Sequence, residues 1–94
     1  MKEQAIQAKI LKLLKPYYTV KVVAATKAGV PDILACINGH FVGIEVKTPK
    51  TKTNTSELQK YNLRKIEENG GYSLVAWSVE QVEEFINEAI STSA

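Results

Sequence analysis

The chain has 94 residues, 45% of them hydrophobic and 23% charged, a composition that fits a globular domain and excludes a disordered or fibrous chain. No apolar run approaches the roughly 20 residues that span a bilayer, and no signal-peptide pattern is read at the N-terminus. The lone cysteine, Cys36, excludes an intramolecular disulfide and a cysteine-based zinc cluster, so a reducing, cytoplasmic setting and a single domain over residues 1–94 are expected.

The net charge of +2 hides an asymmetry. Residues 1–52 carry nine lysines and three acids, a local charge of +6, and residues 53–94 carry three basic residues and seven acids, a local charge of −4. The three acids of the first half are Glu3, Asp32 and Glu45, set among lysines that include Lys27, Lys50 and Lys52. Such a surround suits a polyanion. The plainer alternative is a lysine-rich solvated surface.

In chain order, Ile6, Ile10, Leu13 and Leu14 recur at helical spacing, which predicts a helix from about Lys2 to Lys15, ended by Pro16. Thr19 to Ala25 reads as a strand and Thr26 to Val30 as a loop. Pro31 sits at a strand start, where an N–H can be spared. Asp32 to Ile37 and His40 to Lys47 read as a hairpin. Thr48 to Thr55 is a polar loop. Ser56 with Gln59 forms a capping-box pattern opening a helix that Gly70-Gly71 stops. Tyr72 to Trp77 is a further strand, and Ser78 with Gln81 opens a last helix through Val79, Val82, Phe85, Ile86 and Ile90. Its acidic face is expected to be solvated. Ser91 to Ala94 is expected as a frayed tail.

The turn fixes the geometry of the hairpin. Asn38-Gly39 favours a two-residue type I′ turn, with φ > 0 at both positions. Ile37 then faces His40, and counting outward brings Asp32 opposite Glu45, with Cβ atoms roughly 5 Å apart. Two carboxylates at that separation repel by about 3 kcal/mol at an effective dielectric of 20, which calls for a cation between them. Lys47 shares their face about 6.6 Å further along the strand. The remaining hairpin positions are largely apolar on both faces, so helices are expected to cover both sides and Cys36 to be buried. An ion-pair cluster at a strand end is the alternative reading of the trio.

A hard cation takes oxygen ligands, and Asp32 and Glu45 supply two, with the main-chain carbonyl of Val46 as a candidate third. Mg²⁺ or Mn²⁺ held there, with Lys47 beside it, is the equipment of phosphodiester hydrolysis. Lys50 and Lys52 are candidate contacts to a nucleic-acid backbone, with Lys27 a further one. Tyr17, Tyr18 and Trp77 suit core or interface packing better than base stacking. His40 lies at the far end of the hairpin and takes no role.

Gly29-Val30-Pro31-Asp32, then Glu45-Val46-Lys47, Thr48-Pro49 and Gln59 resemble the VRR-NUC (virus-type replication-repair nuclease) family of the PD-(D/E)XK nuclease superfamily. The resemblance implies an α/β fold, an αβββαβ restriction-endonuclease-like core plus a C-terminal helix, with a mixed central sheet flanked by helices. It implies a metal at Asp32 and Glu45, a catalytic Lys47, a Glu3 that reaches the metal through water or orders the nucleophile, and a Gln59 that orients Lys47 or contacts a phosphate. The implied activity is a metal-dependent DNA endonuclease of prokaryotic or viral origin. It would select branched or junction DNA in replication, repair or recombination and act as a homodimer. The alternative is a nuclease-fold module that binds nucleic acid without cleaving it.

Overall fold

The computed structural model describes residues 2–91. The expected frayed tail lies outside them except for Ser91. The elements in chain order are α1 (Glu3–Leu13), β1 (Tyr18–Lys21), β2 (Ile33–Ile37), β3 (His40–Val46), α2 (Glu57–Glu68), β4 (Tyr72–Ala76) and α3 (Val79–Ala89). One sheet runs β1-β2-β3-β4, antiparallel across its first three strands and parallel between β3 and β4. This is the mixed sheet and the αβββαβ order, with a closing helix, that the sequence led us to expect.

The turn between β2 and β3 has Asn38 at φ 52° and Gly39 at φ 84°, both in the left-handed region. Its register follows, from Ile37 opposite His40 out to Ile33 opposite Ile44. The ladder stops one pair short of Asp32 and Glu45. One face of the hairpin, Ile33, Ala35, Ile37, Val42, Ile44 and Val46, is wholly buried. It packs on Ile6 and Ile10 of α1, Val82 and Ile86 of α3, and the following Leu14 and Ile90.

α2 packs on the opposite face, over β3 and β4. Gly43 makes room for it, since a Cβ there would lie 2.6 Å from Ile66 Cδ1. Gly29, at φ 83°, makes room a second time, because a Cβ there would meet Leu58 and Asn62 of α2 at 2.8–2.9 Å. Asn62 in turn donates to the Ala28 carbonyl at 3.3 Å. The loop before β2 is thereby drawn onto α2 and away from β1. This explains why β1 ends at Lys21 instead of reaching Ala25: beyond the Val22 N–H, which donates to the Asp32 carbonyl at 2.8 Å, no neighbouring strand remains to pair with.

Two expectations are corrected. A single helix does not span the α2 face, so the β1–β2 half of that face stays uncovered. Tyr18 is 78%, Phe41 50% and Val20 42% exposed, and Cys36 among them is exposed rather than buried. Among the described residues no helix is long and apolar enough to cross a membrane.

Candidate metal centre

Three elements meet where the β2–β3 ladder ends. Asp32 immediately precedes β2, Glu45 is the penultimate residue of β3, and Glu3 is the first residue of α1. Each offers a carboxylate oxygen, and the three atoms lie within 4.8 Å of one another. Glu45 is only 3% exposed, Asp32 is half-buried and Glu3 is exposed.

Pro31 explains why the ladder opens here. In an antiparallel hairpin the hydrogen-bonded pairs alternate, and the next such pair after Ile33 with Ile44 would be Pro31 with Val46. Proline has no N–H to give to the Val46 carbonyl. The Val46 N–H, which points the same way as that carbonyl, instead donates to Asp32 Oδ2 at 2.8 Å. Lys47, one residue on, points the other way, its N–H donating to the Ala76 carbonyl of β4 at 2.8 Å. The Val46 carbonyl is therefore directed at the carboxylate side with no ladder donor opposite it.

Lys47 and Gln59 complete the cluster. Lys47 Nζ is 3.6 Å from Glu45 Oε2 and donates to Gln59 Oε1 at 3.3 Å. Gln59 Nε2 donates to Glu45 Oε2 at 3.0 Å. The same Gln59 closes the α2 capping box, its Oε1 accepting from the Ser56 N–H at 2.9 Å while its own N–H donates to Ser56 Oγ at 3.1 Å. Cap and site were alternatives in the sequence, but one side chain makes both sets of bonds. The pattern at Ser78 differs. Its hydroxyl accepts from the Gln81 N–H at 3.3 Å, but Gln81 Oε1 accepts from the Trp77 N–H instead of the Ser78 N–H.

Burial pushes the Glu45 carboxyl up from 4.5 to about 7, aided by the adjacent Asp32 charge and opposed by Lys47. A cation placed among these three carboxyls would favour the ionised form. The donor set fits a hard divalent cation. All of it is oxygen, and Glu3, Asp32 and Glu45 each bring a carboxylate oxygen within 4.8 Å of the others.

The structure thus brings together Glu3, Asp32, Glu45, Val46, Lys47 and Gln59. The three further lysines are not among the cluster's hydrogen-bond or ion-pair partners. Lys50 and Lys52 sit on the loop after β3, which opens with a Thr48–Thr51 turn closed by the Thr51 N–H to the Thr48 carbonyl at 3.0 Å. Lys27 lines a different cavity, beside Asn62 and Lys65 of α2. Sequence reading set Trp77 aside as a packing residue. In the fold it follows Ala76, whose carbonyl holds the Lys47 N–H, and Lys52 Nζ lies over its ring 5.2 Å from the centroid. The signal for it was positional: β4 is the parallel neighbour of β3, the strand that Lys47 follows.

The architecture defines a class, an α/β fold with a mixed four-stranded sheet flanked by helices. A solved structure described as a "VRR_NUC domain" superposes with a TM-score of 0.77, covering 93% of this chain and 96% of that one at 22% sequence identity. The chain therefore shares the fold of a VRR_NUC domain, in agreement with the resemblance carried by Gly29–Asp32 and Glu45–Lys47. No protein-family model matches the sequence, and no curated protein matches it.

Proposed function

We propose that this chain is a VRR-NUC nuclease, a divalent-metal-dependent endonuclease that hydrolyses phosphodiester bonds in DNA. The observation that carries the reading is the convergence of three carboxylate oxygens within 4.8 Å, with Lys47 held against one of them. Glu3, Asp32 and Glu45, with the Val46 carbonyl, would hold Mg²⁺ or Mn²⁺. A cation there would supply a polarised phosphoryl oxygen and an acidified water.

The chain's own groups divide the remaining work. Lys47 presents its ammonium beside the carboxylates, where negative charge develops on the phosphate during attack. Gln59 fixes that ammonium through Oε1 and the Glu45 carboxylate through Nε2, so neither has to reorganise when substrate arrives. Lys50 and Lys52 extend the positive edge along which a phosphate backbone would run, and Lys27 would touch DNA only where it passes the α2 side.

Each chain carries one such cluster, so cutting both strands of a branched or junction DNA takes two chains. A C₂ homodimer is the simplest arrangement. The uncovered apolar half-face around Tyr18, Cys36 and Phe41 supports it. Roles in replication, repair or recombination follow from that substrate class.

The test is a panel of labelled DNA structures (duplex, flap, nicked and four-way) incubated with Mg²⁺, Mn²⁺ or EDTA. Cleavage should need metal and disappear in Lys47→Ala and Asp32→Ala proteins that remain folded. Cleavage that persists in purified Asp32→Ala protein, or in EDTA, would refute the assignment. DNA binding without cleavage under every condition would identify a binding module instead.

A further inference from the structure

Beside the carboxylate cluster, at the C-terminal end of β4, lies a cavity of about 170 Å³ that none of the roles above uses. Ile6, Pro49 and Val79 give it apolar walls, Trp77 an aromatic one, and Lys9 and Glu80 stand among its lining residues. A second, wider depression shares Pro49 with it and is lined by Lys2, Thr48 and Lys50. Lys52 Nζ lies over the Trp77 ring, 5.2 Å from its centroid, and is not among the residues lining the cavity, which Trp77 itself lines. Lys9 thus lines the aromatic-walled slot itself, Lys2 and Lys50 line the depression that adjoins it at Pro49, and Lys52 stands over the Trp77 ring.

The slot sits within a short reach of the proposed chemistry. Ile6 and Lys9 lie three and six residues beyond Glu3 on α1, about 4.5 and 9 Å along the helix axis. At about 3.4 Å per nucleotide step, that is one to three nucleotides from the carboxylates. Trp77 is also one residue past the carbonyl that anchors Lys47.

Resting on the nuclease reading above, we propose that this slot is a nucleotide subsite, in which an unpaired base flanking the scissile phosphate stacks on Trp77 while the lysines hold its backbone. Within a duplex the faces of a base are covered by its neighbours, and only an unpaired or extruded base presents a π-face to an indole. The apolar walls accept the base, the surrounding ammonium groups accept the phosphates, and Glu80 offers an acceptor to an exocyclic amine. The substrate class sharpens accordingly. The enzyme acts on DNA with at least one unpaired nucleotide next to the cut, as at a flap or branch point, and fully paired duplex is a poorer substrate.

Trp77 is the chain's only tryptophan, so its emission reports on this slot alone. The experiment titrates the wild-type protein, in EDTA to prevent cleavage, with a thymidine oligonucleotide, an abasic oligonucleotide of equal length and a blunt duplex. Fluorescence anisotropy of labelled DNA follows binding in parallel. Quenching of Trp77 by the thymidine strand, and not by the abasic strand or the duplex, is the expected result. In a Trp77→Leu protein the ratio of thymidine-strand to duplex affinity should fall roughly 5- to 150-fold, the range for loss of one aromatic–base stack. Trp77→Phe should recover most of it. Unchanged Trp77 emission at saturating thymidine strand would overturn the subsite, as would equal quenching by the abasic strand. In either case cleavage on the DNA panel would leave the nuclease reading standing. Absence of binding to every DNA would also overturn the subsite, while the DNA panel with Mg²⁺ or Mn²⁺ judges the nuclease reading separately.

Discussion

Glu45 ties stability, acidity and metal binding together, and a chelator separates them. Its carboxyl is raised from 4.5 to about 7 in the folded protein, mainly by burial and then by the Asp32 charge. A raised acid favours the protonated native state. Its contribution to stability is therefore complete below pH 4.5 and is lost as pH rises through about 7. At 1.36 kcal/mol per pKa unit, metal-free protein should lose about 2–3 kcal/mol from this group between pH 5 and pH 8. For a domain of this size that is a fall in Tm on the order of 10–20 °C. A bound divalent cation reverses the trend, because it requires the ionised form. Affinity should drop about tenfold from pH 8 to pH 6, a difference of about 1.4 kcal/mol in the stabilisation a fixed Mn²⁺ concentration provides. The assay is thermal unfolding of wild type and Glu45→Gln at pH 5, 6, 7 and 8, in EDTA and in Mn²⁺. In EDTA at pH 8 the Glu45→Gln protein should melt above wild type, since the amide is neutral at every pH. In Mn²⁺ the order should invert. A wild-type Tm in EDTA that does not fall from pH 5 to pH 8, or a Glu45→Gln protein with the same pH slope, would refute the electrostatic reasoning.

Three more outcomes follow from the same geometry. Ser56 has φ −67°, within the range of proline, so Ser56→Pro removes the N–H that holds Gln59 Oε1 without opposing the backbone there. Comparison with Ser56→Ala, which loses only the hydroxyl, isolates that bond, and kcat on flap DNA should fall further in Ser56→Pro, by about fivefold for a bond of ~1 kcal/mol. Pro31→Ala restores a donor opposite the Val46 carbonyl. Isothermal titration with Mn²⁺ should show weaker binding, by about five- to tenfold if a hydrogen bond of ~1 kcal/mol now competes for that oxygen. Phe41→Glu puts a charge on the uncovered half-face and should shift light scattering from dimer to monomer at micromolar protein, with Tm of the monomer little changed because Phe41 is 50% exposed.

Legibility from sequence followed the range of the forces involved. The hairpin register was legible because a two-residue Asn38-Gly39 turn leaves one pairing, and everything from Ile37 to Ile33 inherits it. The Ser56 cap was legible for the same local reason, whereas the Ser78 cap was half right because Gln81 found the Trp77 N–H within the same turn. What was hidden depends on partners distant in sequence. Thr19 to Ala25 reads as one β-branched, strand-like run, yet its pairing stops where Gly29 carries the opposing chain onto α2. Cys36 and Leu34 alternate like buried residues, but the pattern cannot tell which half of a two-faced apolar sheet one 12-residue helix will cover. Trp77 was hidden because its neighbours, Lys52 and Lys9, come from a loop and from the first helix.

The local and distant effects meet at Gln59, and that has a consequence for how the site is held. Glu45 and Lys47 sit at the end of β3, past the β2 ladder, where β4 holds the backbone through Glu45 and Val46 opposite Val75 and Ala76 and the Lys47 N–H on the Ala76 carbonyl. Left alone, their charged ends would still swing, because side chains on a strand rim have free rotamers. Gln59 removes that freedom, and its own rotamer is fixed by the Ser56 N–H and not by packing, since Gln59 is only half-buried. The start of α2 is therefore the brace of the site. A capping box contributes about 1 kcal/mol to a helix wherever it occurs. Here the same bonds set where an ammonium and a carboxylate sit to within a hydrogen-bond length. The physical reason for a glutamine at this position is that its amide has both an acceptor for Lys47 and a donor for Glu45. Glutamate would cap the helix equally well but could not donate to Glu45, and would add a fourth carboxylate beside Glu3, Asp32 and Glu45.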